Sequence, residues 1–344
     1  FCLAGIDKRT SRRWTAPKAK TAAKWALAVL IDPKEEAPPS RPASIKRLAA
    51  VADKMGVEVE PIYPNEIASL AEFDALFIRA TTAIDNYTYR FARRAEQEGM
   101  PVIDDTESMI RCTNKVYLKE LLDNARIAAP RTEILDDKAN FADIMARLGS
   151  PVVLKAPDGS FSRSVHKVSN LEEFQSTAKK LFDDTALILA QEYMPTQFDW
   201  RVGVLGGEPL FASQYKMAKG HWQIAKQEKD GGLSFGSTNT IPISEAPKGV
   251  IEAAVKSARL IGDGLYGIDL KENERGIFVI EVNDNPNLDH DAEGEVLKDE
   301  LWRRIINWFA DRLEKRMGGA PQAGLPAPAQ LQLMAKAAAK YAGG

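Results

Sequence analysis

Residues 266–287 read Y-G-I-D-L-K-E-N-E-R-G-I-F-V-I-E-V-N-D-N-P-N, two apolar runs divided by a polar, glycine-containing stretch. This pattern admits little except an antiparallel hairpin, with strands at Tyr266–Leu270 and Ile277–Val282 and a turn within Lys271–Gly276. A pairing axis near residue 275 leaves Asp269 and Glu281 equidistant from the turn and therefore directly opposed. Opposed side chains share one face, about 4.5–5.5 Å apart at Cβ. Asn283 follows Glu281 at the next in-phase position and joins them, while Ile268, Leu270, Ile280 and Val282 take the core face. Two carboxylates and an amide thus converge with no cation beside them. Like charges so placed destabilise a sheet. A hard divalent cation, Mg2+ or Mn2+, removes the repulsion, and a small protein ligand set leaves room for water and phosphate oxygens. The competing reading is a solvent-facing hairpin whose acids have no joint role.

Upstream the pattern changes. Strand-like runs at Trp25–Ile31, Val57–Ile62, Phe73–Ile78 and Pro101–Ile103 alternate with helical periodicity at Ala43–Met55 and Tyr87–Glu98. That order predicts βαβ units around a parallel sheet. Helices are expected at Thr113–Asn124, Asn140–Leu148, Leu171–Phe182, Pro247–Gly262 and Asp299–Lys315. Strands are expected at Thr132–Leu135, Pro151–Lys155, Val165–Val168 and Ala186–Ala190, and a hairpin across the Gly206–Gly207 turn joins Arg201–Leu205 to Leu210–Met217.

Four further segments carry chemistry. Lys155 ends an apolar strand, where a buried ammonium needs an anionic partner. The Asp158-Gly159-Ser160-Phe161-Ser162 stretch after it offers backbone N–H groups and hydroxyls to phosphate oxygens, although it is not a Walker loop. Gln191-Glu192-Tyr193-Met194 leaves a strand with an extended backbone able to face a flat heteroaromatic ring. Asp199 and Arg201 alternate onto one face, and Lys216 and Lys219 are further cations for a phosphate or substrate. Each has a plainer reading: a snorkelling lysine, core Tyr193 and Met194, a surface ion pair, a solvated face. His166, His221 and His290 form no nucleophilic set, and no G-x-S-x-G occurs.

Forty-six basic against 48 acidic residues give a net charge of −2, which supplies no global electrostatic case for nucleic acid or an anionic membrane. The basic residues 1–24 read as a tail or linker, with a nucleic-acid arm as the alternative. Cys2 and Cys112 are too few for a disulfide framework and point to a reducing, cytoplasmic setting. No apolar run approaches a membrane span. A chain opening on Phe1 leaves room for an upstream domain, and the sequence leaves room for a homo-oligomer.

Taken in order, a lysine-bearing helix with Lys115, the strand ending in Lys155, the small-residue loop, Q-E-Y-M, D-W-R and D…E-V-N resemble the ATP-grasp superfamily. In particular they resemble its RimK-type carboxylate–amine ligases, related to glutathione synthetases, over about residues 25–316. The resemblance implies an N-terminal parallel α/β domain (25–112) and two α+β subdomains (113–190 and 191–317) clasping ATP. Residues 318–344 form a flexible tail. It implies that Lys115, Lys155 and Ser160 contact ATP phosphates, that the backbone of Gln191, Glu192, Tyr193 and Met194 takes the adenine, and that Asp199 takes the ribose hydroxyls. Asp269, Glu281 and Asn283 would hold Mg2+, and Arg201 and Lys216 would act near the transferring phosphoryl group or the substrate carboxylate. Loops 156–164 and 219–238 would be lids. The implied activity joins a small-molecule or peptide carboxylate to an amine through an acyl phosphate. The alternative is an ATP-binding regulatory module without ligase activity. The chain departs from RimK-type members in two places. Its loop has serines where they favour glycine, and Gly236-Ser237-Thr238-Asn239 stands where they carry Arg-Ser-Asn.

Overall fold

The computed structural model describes residues 23–158, 165–218, 222–227 and 233–317. Ser160 with the rest of 159–164, Lys219, His221, residues 1–22 and the 318–344 tail lie outside the described residues.

The first sheet holds β1 (Trp25–Leu30), β2 (Val57–Ile62), β3 (Ala75–Ile78) and β4 (Val102–Ile103) in the order β2-β1-β3-β4, all parallel. Its central strands are apolar on both faces, as a sheet covered on both sides requires. In β3, Ala75 and Phe77 face one core while Leu76 and Ile78 face another. α1 (Pro42–Lys54) covers the first face and α2 (Tyr87–Gln97) the second. α2 opens on Asn86, whose side chain accepts from the Thr88 N–H. A helix not anticipated from the sequence follows, α3 (Thr106–Thr113), capped by Asp105 on the Ser108 N–H. An acid followed by T-E-S was its signal.

α4 (Lys115–Asn124) leads into the second sheet, which contains β5 (Thr132–Leu135), β6 (Val152–Lys155), β7 (Val165–Val168) and β8 (Ile188–Glu192) in the order β5-β8-β6-β7, all antiparallel. α5 (Phe141–Leu148) and α6 (Leu171–Phe182) cover one face through Ile144, Leu148, Phe174 and Ala178 against Val152, Leu154, Ile188 and Ala190. Strand alternation sends Lys155 and Gln191 to the other face.

The third sheet runs β13-β10-β9-β14-β15, antiparallel throughout. Its strands are β9 (Phe198–Leu205), β10 (Glu208–Lys216), β13 (Thr238–Ile241), β14 (Leu265–Asn273) and β15 (Gly276–Asp284), with a two-stranded sheet of β11 (Ala225–Gln227) and β12 (Leu233–Phe235) between β10 and β13. The β9–β10 turn uses Gly206 and Gly207 at φ of 58° and 78°, the positive values that a two-residue hairpin loop demands and glycine adopts freely. α7 (Lys248–Ile261) covers its core face with Val250, Ala254 and Ala258 against Trp200, Val202, Ile268 and Val282. α4 packs in this same core through Leu118 and Leu122, which brings Lys115 beside the third sheet. The last helix, α8 (Asp299–Met317), joins the first sheet to the far end of the third: Trp302, Ile305 and Phe309 pack with Leu27, Leu48 and Phe77 and also with Leu205, Phe211 and Leu265.

Candidate active site

β14 and β15 place Asp269 directly opposite Glu281, and the register that does so contains a bulge. From the turn outward the rungs are Asn273–Gly276, Glu272–Ile277, Lys271–Phe278 and Leu270–Val279, and the next is Asp269–Glu281. Ile280 is the extra residue. In a regular, unbulged strand, alternation from buried Val279 would turn Glu281 into the core. The bulge resets the phase, so Val279 and Val282 are both buried and Glu281 stands with Asp269. The core position expected for Ile280 is therefore taken by Val279.

The expected absence of a cation beside these acids does not hold. β9 pairs with β14 so that Arg201 is opposite Asp269, and its guanidinium forks onto the carboxylate at 2.6 and 2.7 Å. Lys115 approaches Glu281 at 3.3 Å. Both partners came from elements distant in sequence, which a hairpin read alone does not include. Burial pushes the Asp269 carboxyl above its ordinary value, with Arg201 opposing. Burial pushes Glu281 the same way, but Lys115 and Lys155 outweigh it and hold that carboxyl low. The Asn283 amide nitrogen lies 3.3 Å from Asp269 Oδ2, and a half-turn about Cβ–Cγ presents its oxygen instead. Two carboxylates and an amide oxygen are hard donors that fit Mg2+ or Mn2+. Among the described residues no three His, Cys, Asp or Glu side chains group as metal ligands, so the third protein donor would be this amide.

Lys155 lies behind these acids. Its ammonium donates to Gln191 Oε1 at 2.8 Å, and the Gln191 amide in turn donates to Thr132 at 2.9 Å. The loop leaving Lys155 is tied to α4: the Lys115 N–H donates to the Pro157 carbonyl at 2.9 Å, and the Asn114 amide reaches Asp158 at 3.2 Å. Burial lowers the Lys155 ammonium to about 8, with Glu281 opposing and Lys115 adding to the shift. If Lys155 binds phosphate it must be protonated, and the sign is then fixed: binding weakens as pH rises through that value. We expect kcat/KM for ATP to be flat below about pH 7.5 and to fall roughly tenfold per unit above about pH 8. Lys155→Arg, permanently charged, should lose that limb. An identical limb in the variant would assign it elsewhere.

A cavity of about 340 Å3 opens next to β8, lined by Tyr193, Met194, Pro195, Thr196, Lys167 and Trp222, with Met217 and Lys271. Tyr193 meets Trp222 edge-on at 5.9 Å, and the Lys167 ammonium lies over both rings. Tyr193 and Met194 thus line an open space at the end of β8. Glu192 points elsewhere. Its carboxylate is buried between Arg131 and Arg275, and its N–H already donates to the Arg131 carbonyl at 2.9 Å. Of this segment, Tyr193 and Met194 are the residues that line the cavity.

Asp199 is paired through one oxygen, Oδ1. Lys271 holds it at 2.6 Å, and Thr196 donates to it at 2.6 Å. The sequence reading placed Lys271 in the turn. Its in-phase position after Asp269 was the signal that it faces the site. Lys216 is exposed at the end of β10, out of phase with Arg201. Its neighbour Tyr215 is the residue that meets the guanidinium, at 5.1 Å from ring to Arg201 Cζ. Lys216 and Arg201 are not brought together.

Residues 112–308 match the RimK-like ATP-grasp domain. The chain belongs to the RimK-like ATP-grasp family. An α-aminoadipate–LysW ligase, LysX, of Saccharolobus solfataricus is 30% identical over 262 residues, 70% of this chain and 88% of that protein. A probable α-L-glutamate ligase of Psychromonas ingrahamii is 27% identical over 251 residues, 72% of this chain and 78% of that one. Among solved structures, D-alanine–D-alanine ligase from Bacillus anthracis superposes with a TM-score of 0.65 at 19% identity, covering 84% of this chain and 99% of the ligase. The RimK domain protein from Sphaerobacter thermophilus gives 0.61 at 18% identity, with coverage of 84% and 99%. This RimK-like protein thus has the ATP-grasp fold, and the ATP-dependent joining of a carboxylate to an amine anticipated from its sequence stands.

Proposed function

We propose that this RimK-like protein activates a carboxylate as its acyl phosphate and transfers the acyl group to the amine of an amino acid. The observation that carries the reading is the convergence of Lys155, Lys115 and the Asp269–Glu281–Asn283 set beside the Tyr193–Met194 cavity.

A carboxylate is a poor acyl donor because oxide leaves badly. Its oxygen attacks the γ-phosphorus of ATP, the bond to the β-phosphate oxygen breaks, and ADP departs. The amine nitrogen then attacks the acyl carbon, phosphate leaves, and the nitrogen gives up a proton. The first step brings two anions together, so the site has to supply positive charge. Lys155 and Lys115 supply it at the phosphates. Asp269, Glu281 and Asn283 would hold a divalent cation that adds to it. Tyr193 and Met194 would orient the nucleotide. Arg201, beside Asp269, would meet the carboxylate or the transferring phosphoryl group.

Both named relatives are ligases of acidic amino acids by their names. Glutamate and α-aminoadipate are therefore the first amines to test, although Gly236-Ser237-Thr238-Asn239 offers no arginine for a distal carboxylate. The buried free thiol of Cys112 supports a reducing cytoplasmic setting. No described helix is long and apolar enough to cross a membrane.

The test is ADP and phosphate release with Mg–ATP over pools of carboxylates, with hydroxylamine as the trapping nucleophile. A hydroxamate from one pool is the expected result. ATP bound without turnover in any pool, with or without amines, would move the protein to a binding role.

A further inference from the structure

The Arg201 guanidinium is held from two sides. On one it forks onto Asp269. On the other it lies on the ring of Tyr215. The Tyr215 hydroxyl donates to Glu293, a residue beyond the metal hairpin and only 3% exposed. The second Glu293 oxygen accepts the Asp289 N–H at 2.9 Å. The Asp289 carboxylate in turn takes the Arg41 N–H at 2.9 Å and the Ser44 hydroxyl at 2.6 Å, both at the start of α1. A continuous polar chain therefore runs from the first sheet's helix through Asp289, Glu293 and Tyr215 to Arg201 and Asp269.

The cation–π contact and the buried tyrosine tether restrict where Arg201 can go. Both oxygens of Asp269 are engaged by that one guanidinium, so a cation arriving at Asp269 competes with it for the carboxylate's charge and meets its repulsion unless the guanidinium shifts. The hold on Arg201 enters the cost of that shift.

We propose that Glu293 and Tyr215 are positioning residues that keep Arg201 on Asp269 and so set how readily a divalent cation takes Asp269 from it. The proposal rests on Asp269 being a metal ligand. Neither Glu293 nor Tyr215 is expected to touch substrate. Their effect passes through the guanidinium.

The probe is Mn2+ alone, titrated into nucleotide-free full-length protein and followed by the loss of the free-ion paramagnetic resonance signal. Tyr215→Phe keeps the ring and deletes only the tether. Glu293→Ala deletes the tether from the other end. Both should bind Mn2+ about threefold to tenfold more tightly than the parent, because Arg201 competes less well. Glu293→Gln, which keeps an acceptor for the tyrosine hydroxyl, should return towards the parent value. A role confined to pinning the 285–298 loop predicts the reverse, weaker Mn2+ binding in all three. Unchanged or weakened binding in Tyr215→Phe overturns the proposal, whatever becomes of Glu293→Ala in folding. If the parent protein binds no Mn2+, the metal reading fails by itself. The brace is then decided by a thermal-unfolding double-mutant cycle of Tyr215→Phe with Arg201→Met, in which strict additivity overturns it.

Discussion

Glu281→Gln is expected to cut Mg2+-dependent ATP turnover about a thousandfold, the scale of losing one well-placed electrostatic group at a reacting centre, while moving the unfolding midpoint little. The side chain is 31% exposed and its ion pair with Lys115 is 3.3 Å long. Lys115 is 13% exposed, but glutamine keeps an acceptor for its ammonium and the long pair is open to water on the Glu281 side, so the loss is about 1 kcal/mol. Asp269→Asn should abolish turnover to the same degree but should also cost about 3 kcal/mol of stability. The difference lies in Arg201, whose side chain is 18% exposed and whose carboxylate partner is 13% exposed. Removing the charge of Asp269 leaves a desolvated guanidinium without its anion. Combining Asp269→Asn with Arg201→Met should recover most of the stability and none of the turnover. Denaturant unfolding beside the hydroxamate assay reads both quantities. Parental turnover in Glu281→Gln would remove that carboxylate from the metal set.

Arg79→Leu is expected to destabilise the protein by about 4 kcal/mol and to raise the KM for ATP. Arg79 follows β3 and is fully buried. It donates to Ser40 at 3.0 Å, to the Pro39 carbonyl at 2.6 Å, to Asn285 at 2.6 Å and to the Pro286 carbonyl at 2.8 Å. The first two belong to the β1–α1 connection and the last two to the chain leaving the β14–β15 hairpin. Asn285 also donates to the Ala80 carbonyl at 2.6 Å. One guanidinium therefore locks the exit of the β14–β15 hairpin to the first sheet. Burial lowers it to about 10, while Asp104 and Asp289 hold it up. Leucine fills the space but strands four acceptors without donors. Lysine restores the charge but not the fork, so Arg79→Lys should recover less than half of the loss. An unfolding midpoint for Arg79→Leu within experimental error of the parent would show that the hairpin exit is held by other contacts.

Local pattern was enough for much of this protein. Period-two alternation and the Gly206–Gly207 turn produce the β9–β10 hairpin. Asn140 and Asn170 mark helix starts through the N–H groups they cap, and the opposition of Asp269 to Glu281 follows from counting away from a turn. These features are legible because neighbours in sequence create them. The expected register reached the right acid pair although its core assignment was wrong at Ile280. The structure reaches the same pair through a bulge that pattern counting cannot show.

What the sequence by itself determined is the chemical inventory and its order along the chain: a strand-ending lysine, a small-residue loop, and two acids with an amide on one hairpin face. Only the tertiary structure decided how those groups are paired. Arg201 neutralises Asp269, Lys271 occupies Asp199, Glu192 turns away to Arg131 and Arg275, and Tyr215 rather than Lys216 reaches the guanidinium. Each of those outcomes depends on the desolvation of a charge by elements far apart in sequence. Burial makes an unpaired charge costly, so it selects the partner, and burial exists only once the sheets and helices have packed.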